Sequence, residues 1–208
     1  MAKNLGPKCK QCRREGEKLM LKGERCNSPK CAMVKKNYPP GIHGPKRRGR
    51  QSDYSLQLRE KQKTKRFYNL LEKQFKITFN KASKQKGDAG ENLLKMLEIR
   101  LDNVIYRSGF AVSRNYARQL VSHGHFTVND KKVNVPSYQV KTGDIIKIKS
   151  PSKKNKAFSN IEERLKKITA PGWLNIDTKE LICKILHQPA KEDTEKINTH
   201  MIVEFYSR

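Results

Sequence analysis

Forty-six Lys and Arg residues against twenty Asp and Glu leave this chain with a formal net charge of +26. Like charge at that density opposes compaction, so a fold built from it must pair its cations internally or export them towards a polyanion. Apolar residues supply only 35% of the 208 positions, so the cores it can form are small. The length suits one domain or two small ones. Nucleic acid is the leading class of partner. Membrane is the weaker one, because no apolar run is long enough to span a bilayer. No signal-peptide core is visible either, so the chain is expected to be intracellular, with its thiols reduced. The charge is steepest at the start, where the first 50 residues hold 15 basic and 3 acidic side chains.

That same basic stretch carries four of the five cysteines. Cys9 and Cys12 form a C-x2-C pair, Cys26 and Cys31 a C-x4-C pair, and 13 residues separate the two. Two close pairs across a short loop are what a tetrahedral thiolate site requires. Lys8, Lys10, Arg13, Arg14 and Arg25 crowd the pairs and favour the thiolate. A reducing compartment disfavours disulfides, and the larger α/β unit that a redox motif needs is absent. Four sulfurs suit Zn²⁺ and equally an iron–sulfur cluster. Such a site is closed and therefore structural, and the segment around it has too few large apolar residues to fold readily without a metal. Cys183, in "LICKIL", reads as a small core residue.

Along the rest of the chain, Pro39, Pro40, Gly41, Gly44 and Pro45 impose a loop that ends in the cationic cluster Lys46, Arg47, Arg48 and Arg50. A helical period runs from about Asp53 to Thr78, with Leu56, Phe67, Leu70, Leu71 and Phe75 on one face and Lys61, Lys65, Arg66, Lys73 and Lys76 on the other. A second helical run covers Glu91 to Arg107. Ser113 is a good N-cap for a short helix ending near Gly124, with Arg114 and Arg118 expected on its outer face. Alternation then takes over. "HFTVNDKKVNV" predicts a hairpin turning at Asn129-Asp130 with Val133 and Val135 inside, and "VKTGDIIKIK" a strand with Ile146 and Ile148 inside. Residues 151–158 read as a polar linker, Ser159 and Glu162 as a capping box, and "MIVEFYSR" as a closing strand. No hydrolase, metalloprotease or P-loop spacing occurs, so the chain is expected not to be an enzyme and to have no small-molecule substrate.

The stretch "GENLLKMLEIRLDNVIYRSGFAVSRNYARQLVSHGHFTVNDKKVNVPSYQVKTGDIIKIK" closely resembles the RNA-binding module of the small-subunit ribosomal protein S-four (uS-four) family. "YPPGIHG", "QLREKQK", "LEKQF", "PGWLNID" and "VEFYSR" match the bacterial-type family in order and spacing, and the four cysteines its four-cysteine branch. The resemblance implies an α+β architecture: a helical domain, an inserted small α+β RNA-binding module of two helices plus an antiparallel sheet, and an N-terminal four-cysteine metal knuckle. The corresponding divisions are 1–45 for the cysteine extension, 46–90 for the first helical part, 91–158 for the module and 159–208 for a segment returning to the helical domain. It implies a primary binder of 16S rRNA that nucleates assembly of the subunit body and influences translational accuracy. Contacts with ribosomal protein S-five and with mRNA near its entry channel follow from the same likeness, as does a ribosome-bound, cytoplasmic or organellar location. Candidate RNA-binding residues are Arg47, Arg48, Arg50, Lys61, Lys65, Arg66, Arg107, Arg114, Arg118, His123, Lys131, Lys132 and Lys147. The family turn usually reads Asn-Gly, so Asp130 implies a different or slightly strained hairpin tip. Competing readings are a zinc-dependent nucleic-acid-binding regulator and a non-ribosomal RNA-processing factor that borrows the module.

Overall fold

The structure, a computed structural model, describes residues 4–46, 50–155, 158–167, 169–190 and 197–207. The chain divides into two compact units, Met1–Leu93 with Lys196–Arg208, and Leu94–Glu195.

The first unit is helical. α1 (Lys8–Glu15), α2 (Glu24–Asn27) and α3 (Ala32–Lys35) form the cysteine-bearing segment. α4 (Asp53–Phe67) starts at Ser52, whose hydroxyl accepts the Ser55 N–H at 3.3 Å. The expected helix to Thr78 is interrupted. Asn69 adopts a left-handed φ of 55°, and the Leu70 and Asn69 N–H groups donate to the Lys65 and Arg66 carbonyls at 2.9 and 3.1 Å. This crossed pair of bonds closes α4, and the chain re-enters helix as α5 (Glu72–Ala82). Two residues assigned to the apolar face end up exposed: Leu71, which sits in the break, and Leu56, which lies off the buried Gln57, Lys61 and Thr64 face of α4.

The C-terminal segment corrects the sequence reading more sharply, since "MIVEFYSR" is not a strand. Thr199–Tyr206 is α11, capped by the Asn198 side chain, which accepts the Met201 N–H. Branched and aromatic residues suggested a strand, but Ile202 and Tyr206 are four apart and face one side of a helix. α11 lies in the helical unit and packs along α4. Ile202 is fully buried there, Gln57 donates to Glu204 at 2.8 Å, and Tyr206 stacks on Phe79.

The second unit is α+β. The helical run expected from Glu91 to Arg107 is two helices, α6 (Ala89–Glu98) and α7 (Leu101–Arg107). Arg100 between them is extended, with ψ 136°, and the Leu101 N–H that a continuous helix would use internally donates instead to the Tyr138 carbonyl at 2.8 Å. α8 (Arg114–Ser122) has the expected Ser113 cap, and Gly124, at φ 73°, ends it through the same paired bonds as Asn69. β1 (Phe126–Val128), β2 (Lys131–Lys132) and β3 (Ile145–Ile148) supply the hairpin region. β2 is shorter than expected, and Val135 is exposed rather than internal.

The unit runs past the expected limit at 158. α9 (Ser150–Lys153) and the buried Phe158 occupy what reads as a polar linker, followed by α10 (Ile161–Lys167). β4 (Leu174–Asp177) and β5 (Ile182–Ile185) then complete an antiparallel sheet in the order β2-β1-β3-β5-β4. Register places Phe126 opposite Ile148 and Ile146 opposite both Val128 and Cys183. Alternation sends Phe126, Val128, Ile146, Ile148, Cys183 and Ile185 to one face, packed with Val104, Ile105, Leu120 and Trp173 in a single core. Cys183 is the core residue expected, its thiol pushed up to about 12 by burial.

Truncating Ile202 to Ala removes the most buried side chain of α11 and should cost about 2–5 kcal/mol. The check is urea unfolding, with hydrogen exchange expected to accelerate first in 199–206.

Candidate nucleic-acid interface

Most of the cations on α4 are spent within the helical unit. Lys61 is buried rather than outward-facing, donates to Glu72 at 2.6 Å, and sits 4.5 Å over the Phe205 ring. Lys65 takes the other Glu72 oxygen at 2.7 Å, and the Tyr206 hydroxyl donates to Glu72 as well. Burial alone would push Glu72 up, but these two lysines outweigh it and hold the carboxyl down at about 2. Arg66 and Arg59 converge on Glu15 of α1, whose carboxylate is almost wholly enclosed. Lys63 bridges Glu17 and Glu60. Lys61, Lys65 and Arg66 are thus brought together with carboxylates, while Lys73 and Lys76 on α5 are exposed as read.

The second unit repeats the pattern. Arg107 clamps the fully buried Glu98 at 2.9 Å, with Asn103 donating to the same carboxylate at 2.7 Å. Arg114 donates to Asn103 Oδ1 at 2.7 Å and lies over Tyr106. Asp102 takes two bonds from Arg100 and stands 3.8 Å from Arg118. Arg114 and Arg118 are buried, at 6% and 5% exposure, so the outer face expected for them is not where they lie. The break at Arg100 starts α7 anew, and its Asn103 and Asp102 meet Arg114 and Arg118 of α8.

What this unit does present to solvent is its hairpin. Lys131, Lys132 and His123 are exposed, and the aliphatic stem of Lys132 lies against Gly124. Asn129 and Asp130 both take left-handed φ values, 50° and 62°, so the turn is of the tight two-residue kind despite lacking Gly. Asn129 compensates by accepting the Ile145 N–H at 3.0 Å and donating to Asp144 at 2.8 Å. Asp130 holds Lys147 at 2.9 Å, partly neutralising it. Beside His123, His125 is pushed below its ordinary pKa by burial and by that neighbour. Arg50 is exposed, and Arg47 and Arg48 lie outside the described residues.

The cysteines converge. Cys9 and Cys12 lie on α1, Cys26 on α2 and Cys31 at the head of α3, and all four line one small cavity with Leu21 and Met33. All are free thiols, and the Lys22 N–H donates to Cys26 Sγ at 3.4 Å. Burial pushes the Cys12 thiol up, and Cys26, Cys9 and Cys31 push it further. A bound cation would reverse that by neutralising the shared negative charge. Among the described residues no three His, Cys, Asp or Glu side chains already stand in metal-ligand geometry. The structure therefore contains a cysteine clip, while the metal knuckle expected from the spacing is not shown. A second opening, lined by Arg13, Arg25, Lys30, Ala32, Lys35 and Lys36, lies in the same segment and was not singled out by sequence reasoning.

Two family models match. Residues 3–98 fit the ribosomal protein S4/S9 N-terminal domain, and residues 99–146 fit the S4 domain. The chain is 52% identical to the small ribosomal subunit protein uS4 of Halothermothrix orenii, across the full length of both. It is similarly 54% identical to that of Caldicellulosiruptor saccharolyticus and 51% to that of Clostridioides difficile, again over 100% of each chain. The chain belongs to the uS4 family. The resemblance drawn from its motifs is borne out, and the boundary between the two matching domains falls at the Ile99–Arg100 break that separates α6 from α7. No helix among the described residues is long and apolar enough to cross a membrane.

Because its folded-state pKa lies below the ordinary carboxylate value, ionised Glu72 stabilises the helical unit fully above about pH 4.5, and this contribution is lost as pH falls towards 2. Glu72→Gln should flatten that part of the acid-unfolding curve and lower stability at neutral pH, as followed by circular dichroism.

Proposed function

We propose that this chain is a structural constituent of the small ribosomal subunit, a primary 16S rRNA binder that nucleates assembly of the subunit body and works bound to the ribosome, with no catalytic role. The observation that carries this reading is full-length identity of about one half to proteins named for that subunit. The electrostatics agree with it. Carboxylates neutralise the buried cations, so the large remaining positive charge is displayed on surfaces such as the hairpin, where His123, Lys131 and Lys132 are exposed. A-form RNA hides its base edges in a deep groove, so recognition rests on phosphates and junction shape. Lys offers such phosphates a point charge and Arg a bidentate fork.

The same reading extends to contact with ribosomal protein S-five, to mRNA near its entry channel and to an influence on decoding accuracy. Lys147 would join the RNA-facing set once RNA phosphates compete with Asp130. Arg107, Arg114 and Arg118 would act by shaping the module that presents the hairpin, and Lys61, Lys65 and Arg66 by shaping the helical unit.

Direct titration tests the central claim. Affinity for transcribed 16S rRNA should fall steeply with salt, log K dropping by roughly 0.7–0.9 per neutralised phosphate against log salt. A salt-insensitive affinity, or failure to cosediment with small subunits, would overturn it.

For the cysteine clip, the reading assigns Cys9, Cys12, Cys26 and Cys31 as ligands of one Zn²⁺, with an iron–sulfur cluster as the alternative. Four thiols around one cavity, cationic neighbours and an N–H aimed at a sulfur support the fit. The group would supply a crosslink between α1, α2 and α3 and no reaction. Metal analysis should find one zinc per chain in colourless, anaerobically purified protein, and Cys12→Ser should lose it. A brown protein would instead identify the cluster, and metal-free wild type would refute both.

A further inference from the structure

We propose that Arg25, Lys30, Lys35 and Lys36, held in place by Arg13, form a cleft for backbone phosphates of one RNA strand, built directly on the cysteine clip. The inference rests on the RNA-binding reading above and names a site within it. The cleft has a volume of about 410 Å³ and its lining is Arg13, Arg25, Lys30, Ala32, Lys35 and Lys36, five cations and no carboxylate. That sets it apart from α4, where Arg59, Lys61, Lys63, Lys65 and Arg66 all hold Glu partners. Among the described residues no ion pair engages Arg25, Lys30, Lys35 or Lys36, and all four are exposed.

Sequence position explains how the cations converge. Arg13 follows Cys12, Arg25 precedes Cys26 and Lys30 precedes Cys31, while Lys35 and Lys36 lie one helical turn beyond it. The Cys31 carbonyl accepts the Val34 and Lys35 N–H groups at 3.1 and 3.3 Å, which fixes that turn. Arg13 closes the far side. Its guanidinium donates to the Lys36, Tyr38 and Pro39 carbonyls at 3.1, 2.9 and 3.2 Å and stacks on the Tyr38 ring, tying that loop back to α1. Arg13 is therefore a positioning residue, and the four outer cations are the ones that meet phosphate. The cations that line the cleft are thus chain neighbours of the cysteines that line the adjoining cavity.

The test compares the metal-replete full chain with the triple variant Lys30→Gln, Lys35→Gln, Lys36→Gln on transcribed 16S rRNA across a salt series. Circular dichroism confirms that the exposed substitutions leave the fold intact. The slope of log K against log salt should become shallower by roughly 2–3. Ala32→Glu, which places one carboxylate in the cleft, should weaken binding more than Ile77→Glu, the same charge change on exposed α5. If wild type binds rRNA steeply and the triple variant keeps its slope, the cleft proposal falls and the ribosomal reading stands. If wild type does not bind rRNA, both fall. A parallel titration with inorganic pyrophosphate separates the phosphate sources: saturable binding that the variant loses, beside an unchanged rRNA slope, would reassign the cleft to free polyphosphate and overturn the RNA assignment.

Discussion

One carboxylate shared between two cations is the interaction on which both units depend. Glu72 takes Lys61 and Lys65, Glu15 takes Arg59 and Arg66, and Asp102 takes Arg100 and stands near Arg118. In a chain with more than twice as many basic as acidic residues, one-to-one pairing is impossible. A single anion placed between two cations lowers the repulsion of both. Buried ion pairs add little net stability once desolvation is counted, but breaking one leaves an uncompensated buried charge. Of the three anions, Glu15 and Asp102 are enclosed in this way, while Glu72 is half-exposed. Each draws its cations towards one carboxylate, and the excess charge is left to the outside.

That division explains why basic residues of similar sequence context have different structural fates. Arg114 and Lys131 both lie within a short basic stretch, yet one is enclosed against Asn103 and Tyr106 while the other is exposed on a hairpin. The distinction depends on where the few anions fall. Residues 24–46 contain one acidic side chain, Glu24, so Arg25, Lys30, Lys35 and Lys36 remain uncompensated. α4 faces Glu15, Glu17 and Glu72 and carries Glu60 itself, so its cations are absorbed.

Local signals were legible in the sequence. Ser113 caps α8, Gly124 ends it, and Ile146 and Ile148 alternate inward, because each effect is decided by a residue and its near neighbours. Asn69 was also readable as a helix stop, since Asn tolerates the left-handed conformation that ends α4, but the apolar period around it hid the signal. The partners of the arginines were not legible. Glu15 and Arg66 are 51 positions apart, and Glu98 and Arg107 meet only because Arg100 interrupts the helix between them. The same holds for β4 and β5, whose short alternating runs become strands by pairing with each other and, through β5, with β3. In "MIVEFYSR", strand propensity was overruled by the Asn198 cap and by packing along α4, where Gln57 meets Glu204 and Lys61 meets Phe205.

The cysteine clip and the carboxylate pairs are linked through α1. Cys9 and Cys12 sit in this eight-residue helix together with Glu15, which receives Arg59 and Arg66 from α4. A helix this short is marginal by itself in water, so its order must come from what holds its two ends. At one end Cys9 and Cys12 meet Cys26 of α2 and Cys31 of α3 around one shared cavity, and at the other the carboxylate pairs with α4. Disrupting the packing around that cavity would therefore also free Glu15 to leave its enclosed position and expose two arginines that the folded unit keeps neutralised. Packing of the cysteine segment around α1 thus bears on which cations of the helical unit stay paired, even though no cysteine needs to touch an anionic partner.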